Sequence, residues 1–390
     1  MKPKLLAFFI LLLTNFFGAT SIPNSLLLAP ILGVFLFTFQ KKDFLNVIFL
    51  LMIFALLANA YSCWLFRGQS IFQTLTYSGV FLYILSYNAM CKLNISLPTS
   101  ERVLESIIWI FCASYLVQYA VYPIVIFSGA SNETLDSSDL RIRLVAQGLS
   151  SLGVFFGIGK IINKDGSRKY YLMTTVCSII IVLMGFRTMI FAIVVFSLIL
   201  LVRTKGLRLR TLVYVSVMAL ALGLSIKIPA ISNKIDNMIV RQKEDNFTNQ
   251  DYIRLIGLNY YTTKHFVSNT EYILGSGYPA YGSNSRYANN MEILEQDNSI
   301  YWVDWGLLGL SWIAGIPFVF LMIWYAVRSI FRTVDVKYYY LGIWFAYILT
   351  ISITTKEFYR DGNLVVQAFV LFLIDAAHRL YSQDQQKEVL

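Results

Sequence analysis

Charge is scarce in this chain. Only 14% of its 390 residues are Asp, Glu, Lys or Arg, while 57% are hydrophobic and the mean hydropathy is +0.61. Average globular chains carry about 25% charged residues, so a water-soluble fold would expose too much apolar surface, and the bilayer must be the solvent. Histidine is scarcer still: two residues, His265 and His378, far apart, argue against a histidine-built metal site. The four cysteines (Cys63, Cys91, Cys112, Cys177) lie within or beside apolar runs, which suits packing better than a disulfide framework. Walker, dinucleotide-fingerprint, HExxH and nucleophile-elbow sequences are all missing, so no metal or cofactor is expected. The ten-residue alternation of barrel strands is missing too.

What is present is a series of apolar runs, each long enough to cross about 30 Å of hydrocarbon as a helix. The expected architecture is all-α and polytopic, with about twelve spans. They fall near 5–20, 22–39, 44–64, 70–90, 103–127, 144–162, 170–185, 188–202, 211–229, 299–327, 338–354 and 363–380. Three regions follow: an N-terminal bundle of about nine helices (1–229), a large extracytoplasmic loop (230–298), and about three C-terminal helices with a tail (299–390). The first run also resembles a signal peptide, with 18–21 as a cleavage region; a retained anchor is the preferred reading.

The net charge of +10 follows the positive-inside rule and does not point to nucleic acid. With the N-terminus inside, nineteen Lys and Arg fall in inner segments, among them Lys41/Lys42, Lys160–Lys169, Arg203–Arg210 and Arg328–Lys337. The short outer connections hold six: Arg67, Arg141, Arg143, Arg187, Lys356 and Arg360. Both termini are therefore expected in the cytoplasm. The loop should hold a helix over 251–267 and a turn at Gly275-Ser276-Gly277-Tyr278-Pro279.

Cations on the outer side are the informative departure. Residues 170–202 must cross twice, so helices of about 16 residues would reach only about 24 Å each. Arg187, in the turn between them, should then be recessed, either snorkelling to lipid phosphate or aimed at an anionic ligand. Arg141 and Arg143 open the sixth span, Arg254 lies on the loop helix, and Lys356 to Asp361 is a dense charge cluster. Each also has a structural reading, as an interfacial anchor, a solvated helix residue or a self-neutralising network. Converging arginines would suit a diphosphate, because guanidinium is planar and permanently charged. The loop aromatics, Tyr278 and Tyr301 among them, could stack on sugar faces or form an interfacial belt.

Over roughly 140–365 the chain resembles the Wzy-type polysaccharide polymerases, in the superfamily that includes the O-antigen ligases. Three patterns carry the resemblance: Leu183-Met184-Gly185-Phe186-Arg187-Thr188; Asp251-Tyr252-Ile253-Arg254 followed by Ile273-Leu274-Gly275-Ser276-Gly277-Tyr278; and Asp297-Asn298-Ser299-Ile300-Tyr301 with Gly306-Leu307-Leu308-Gly309-Leu310. Ligases usually place a histidine where this chain has Asp297, which tilts the reading to a polymerase. The resemblance implies a glycosyltransferase of the bacterial inner membrane that builds O-antigen, capsule or exopolysaccharide for the cell envelope. Its substrate would be an oligosaccharide on polyprenyl (undecaprenyl) diphosphate, with a chain-length regulator as a further partner. Arg187 and Arg254 would stabilise the leaving diphosphate, with Arg141, Arg143, Lys356 and Arg360 in binding roles. Asp297, then Glu357, would accept the proton of the attacking hydroxyl. A lipid-linked oligosaccharide flippase or other transporter is the rival from a different class.

Overall fold

A computed structural model describes residues 3–16, 24–40, 43–93, 95–127, 142–163, 167–205 and 252–389. The ninth expected span, the first part of the loop and Arg141 lie outside them. Helix dominates, and no strand occurs among the described residues. The helices are α1 (Pro3–Leu13), α2 (Asn24–Thr38), α3 (Phe44–Arg67), α4 (Ile71–Ser78), α5 (Ser86–Lys92), α6 (Leu97–Val121), α7 (Gly148–Ile162), α8 (Arg168–Met184) and α9 (Arg187–Lys205). After the undescribed stretch come α10 (Ile253–Thr263), α11 (Asn269–Leu274), α12 (Arg286–Gln296), α13 (Gly306–Ala314), α14 (Ile316–Arg332), α15 (Tyr339–Ile351) and α16 (Asn363–Val389).

Among the described residues, four helices are long and apolar enough to cross a membrane: α3, α6, α9, and α16 over Asn363–Gln386. Other expected spans fall on helices of 11 to 17 residues or on interrupted ones. The run at 70–90 divides into α4, a 3-10 segment Gly79–Leu85, and α5. The run at 299–327 divides at Gly315, between α13 and α14.

The break at Gly315 has a local cause. Gly315 has φ +93°, and a Cβ there would lie 2.4 Å from the Leu274 carbonyl oxygen. The loop turn 275–277 enters the gap, where Ser276 N–H donates to Trp312 O and Gly277 N–H to Ile313 O, both at 2.9 Å. Asn59 of α3 donates to Leu274 O (2.7 Å) and Ile313 O (2.8 Å). The loop thus satisfies carbonyls that the end of α13 would otherwise leave bare, a necessity in an apolar surrounding.

The small residues of α7 set its packing. A Cβ on Gly153 would lie 2.5 Å from Cys177 Sγ, and one on Gly157 would lie 2.2 Å from Thr174 Oγ1. Such close approach is how apolar helices gain contact where lipid offers no hydrophobic contrast. Lys160 at the end of α7 pairs with Glu101 near the start of α6 (2.8 Å), and Lys169 at the start of α8 pairs with Glu105 (2.7 Å). These helix ends therefore lie together.

The loop helix is shorter than the expected 251–267. Lys264 and His265 N–H both donate to Tyr260 O, and the Val267 N–H is taken by the Glu271 carboxylate at 2.7 Å. Arg67 at the end of α3 anchors this corner, donating through Nε to Glu271 and through Nη2 to the His265 carbonyl. The His265 ring is buried against Tyr261 and Phe266, each at 4.9 Å, and among the described residues neither ring nitrogen has a hydrogen-bond partner. Burial, reinforced by the Arg67 charge, lowers its pKa from 6.5 to about 3.

The native state thus binds fewer protons than the unfolded chain between those two values. Stability from the neutral ring is whole above the unfolded pKa and is lost as pH falls through the window. Acidification from pH 7 to 5 is expected to cost about 2 kcal/mol through this ring. Melting of wild type and His265→Phe at both pH values checks it. Equal pH slopes for the two proteins would remove His265 as the cause.

Candidate functional site

At the end of the bundle opposite the Lys160 and Lys169 pairs, three chain segments meet. The connection between α15 and α16 (352–362) lies against the lead-in to α7, with Ala146 N–H donating to Asp361 O (2.8 Å). Asn363 ties both down, accepting from Gly148 N–H (3.1 Å) and donating to Glu357 O (2.6 Å). The third segment is the turn between α8 and α9. Gly185, at φ +74°, ends α8 in the left-handed conformation that glycine adopts without steric penalty. Phe186 follows, then Arg187 as the first residue of α9.

The site residues are built on this junction. The Arg143 guanidinium sits 5.0 Å from the centre of the Phe186 ring, directly beside Arg187 in the chain. Arg360 donates through Nε to Glu357 Oε1 at 2.7 Å, and Gln147 donates to the same oxygen. Glu357 is 1% exposed, and its Oε2 has no hydrogen-bond partner among the described residues. Lys356 is held below the usual ammonium pKa, first by burial and then by the positive charges of Arg360 and Arg143. Arg360 and Asp361 also line a cavity of about 280 Å³ with Thr14, Asn15, Tyr83 and Tyr359.

A carboxylate that sequence reading passed over joins this group. Glu295 lies two residues before Asp297, on the inward side of α12. Burial raises its carboxyl above the usual range, against the opposing pull of a Tyr281 hydrogen bond (2.7 Å) and the Lys356 charge. Tyr278 is within electrostatic reach of both Asp361 and Glu295, and its ring meets Trp302 edge-on at 5.9 Å. Trp302 in turn stacks on Tyr359 at 6.0 Å.

Of the residues named from the sequence, Arg143, Arg187, Lys356, Glu357, Arg360 and Tyr278 belong to this junction. Asp297 is exposed at the C-terminal cap of α12, and Arg254 is half-buried on α10. Among the described residues no hydrogen bond or ion pair joins either of them to the group. Tyr301 is 39% exposed beside the 3-10 turn Trp302–Trp305. Arg141 lies outside the described residues. The helices on either side of Arg187 are longer than the 16 residues expected of each. The two helices run on through Arg168-Lys169 and Arg203-Lys205 to 17 and 19 residues, about 26 and 28 Å.

Chemically, the junction offers fixed positive charge, the N-terminus of a 19-residue helix, the buried carboxyl of Glu357 and the half-buried one of Glu295. Cation and helix terminus together suit a phosphate-bearing group. No protein-family model matches the chain, and no curated protein matches it.

Proposed function

We propose that this chain is a Wzy-type polysaccharide polymerase: a twelve-span glycosyltransferase, both termini cytoplasmic, acting at the outer face of a bacterial inner membrane. The observation that carries the reading is the junction itself. Arg143, Arg187, Lys356 and Arg360 come from segments up to 217 residues apart, yet all belong to one end of the bundle with Glu295 and Glu357. Arg360 is paired with Glu357, and so many cations at one place in so apolar a chain suit an anionic ligand. A lipid diphosphate is the anion that such a membrane presents with a sugar attached.

In this reaction a hydroxyl of the acceptor repeat unit attacks the anomeric carbon of the donor chain. The new glycosidic bond forms as the bond to the diphosphate oxygen breaks, and the lipid diphosphate leaves with both electrons. Arg187 and Arg143, at the start of α9, receive that developing charge, an effect worth several kcal/mol where donors are held in advance. The acceptor proton goes to a carboxylate. Glu295 suits this better than Asp297, because its half-buried carboxyl has its pKa raised by burial and lies within electrostatic reach of Lys356, and a base tuned toward working pH is the more effective one. Glu357 holds Arg360 in place. Tyr278 and Tyr301 are the residues assigned to the sugar, and a chain-length regulator is a further partner.

The test is polymerisation by purified protein on a defined polyprenyl-diphosphate oligosaccharide, with products resolved as a ladder on a gel. Wild type should give a ladder, Glu295→Gln should lose about 10²-fold or more of the rate, and Asp297→Asn should retain it. A ladder lost in Asp297→Asn and kept in Glu295→Gln would reverse the assignment of the base. One observation favours a transporter instead: helices interrupted within the membrane often mark transport sites, and the α13–α14 run is interrupted at Gly315. Lipid-linked sugar crossing in proteoliposomes, with no ladder under any condition, would decide for it.

A further inference from the structure

The larger cavity lies at the other end of the same helices. Phe44, on its wall, begins α3, and Arg67 ends it 23 residues later, about 35 Å away. Asp375 and Arg379 stand 12 and 16 residues into α16, about 18 and 24 Å from the junction with Glu357. The cavity measures about 410 Å³ and is walled by the turn before α3, the end of α5, the end of α14 and α16. No residue of the candidate site takes part in it.

Its wall is strongly cationic. Lys92, Arg328, Arg332 and Arg379 face it, against the carboxylates of Asp43 and Asp375. Both acids are already engaged. Asp43 caps α3, accepting from Leu45 N–H at 3.0 Å. Asp375 is shared by Arg332 (2.5 Å), Arg328 (3.8 Å) and the Tyr87 hydroxyl (2.5 Å). Two positive charges remain in excess around a partly enclosed space. The buried Asn88, also on the wall, gives its amide N–H to Asn46 (2.9 Å), but its carbonyl oxygen has no hydrogen-bond partner among the described residues. The cations on the wall remain for a ligand anion. Phe44, under the Arg328 guanidinium at 5.4 Å, is itself 41% exposed, so the mouth adjoins apolar, lipid-facing surface.

We propose that this cavity binds a phosphate-bearing anion, drawn either from the headgroups of the adjoining leaflet or from free phosphate in solution. Guanidinium forks match phosphate oxygens in pairs, and a basic pocket between helix ends at a membrane surface suits an anionic headgroup. The proposal does not rest on the polymerase reading, since it concerns the opposite end and a bound ligand that undergoes no reaction.

Full-length protein in a nonionic detergent is melted with phosphatidylglycerol, with phosphatidylcholine at the same mole fraction, and with inorganic phosphate at constant ionic strength. Phosphatidylglycerol is expected to raise the midpoint by about 3–6 °C over phosphatidylcholine near saturation. The double variant Lys92→Gln/Arg379→Gln, at two exposed positions, should lose that shift while melting like wild type in phosphatidylcholine. A shift with phosphate but not with phosphatidylglycerol supports the site with a soluble occupant. A shift with neither ligand, or one the double variant retains, overturns the proposal. Should the variant aggregate, native mass spectrometry of wild type decides: one retained phosphatidylglycerol or phosphate supports the site, and none overturns it.

Discussion

Arg187→Ala is expected to slow transfer from a polyprenyl-diphosphate donor by about 10²–10³-fold, the usual loss when one preorganised donor to a developing oxyanion is removed. The residue occupies the first position of α9, where the helix dipole favours anions and an arginine gains nothing from its own helix. Its neighbour Phe186 carries the Arg143 guanidinium, so two planar cations flank one helix terminus. A diphosphate leaving group would find backbone N–H groups and two guanidinium forks there without rearrangement. Arg187→Lys keeps the charge but loses the fork and should recover only part of the rate. The measurement is single-turnover release of lipid diphosphate, with unfolding midpoints confirming that each variant is folded. Full activity in Arg187→Ala would mean that the leaving group is held elsewhere.

Arg360→Ala should have the largest effect on stability. Arg360 is 8% exposed, and its Nε is bonded to a carboxylate that is almost wholly buried. Removing the guanidinium leaves Glu357 with Gln147 alone, and breaking a buried pair from one side typically costs about 3–5 kcal/mol. The backbone adds to the effect, since Glu357, Asn363 and Gly148 form one hydrogen-bonded chain between the α15–α16 connection and α7. Replacing both partners, Glu357→Leu with Arg360→Leu, should regain most of the loss, because no charge is then stranded. Denaturant or thermal unfolding in detergent checks both variants. A single-variant loss under about 1 kcal/mol would show that water reaches the pair and screens it.

Some of this was legible before any coordinates. Apolar runs gave helices, because backbone groups in lipid must be satisfied within the segment. The Lys160–Glu101 and Lys169–Glu105 pairs hold the end of α7 and the start of α8 against the start of α6. The turn at Gly275–Gly277 was visible from its glycines. Its purpose was not, because the gap it fills is made by Gly315, forty residues later in an apolar run that reads as continuous. Hydropathy sees composition, and a helix break is decided by which backbone groups find partners.

The site divides the same way. Arg187 stood out because a cation in a short turn between two apolar runs breaks a composition rule. Glu295 did not, because on an exposed-looking helix it resembles Glu292 and Asp297. Only the tertiary contacts of Glu295 with Tyr281 and Trp302 half-bury one carboxyl and leave the other exposed. The meeting of Arg143 with Phe186, and of Lys356 with Glu295, spans 43 and 61 residues of chain and belongs wholly to the tertiary structure. Sequence determined the apolar surroundings and the helices, since those depend on local composition. Which charges become neighbours was decided by the packing of distant helices, because electrostatic partnership falls off with distance in space and takes no account of distance along the chain.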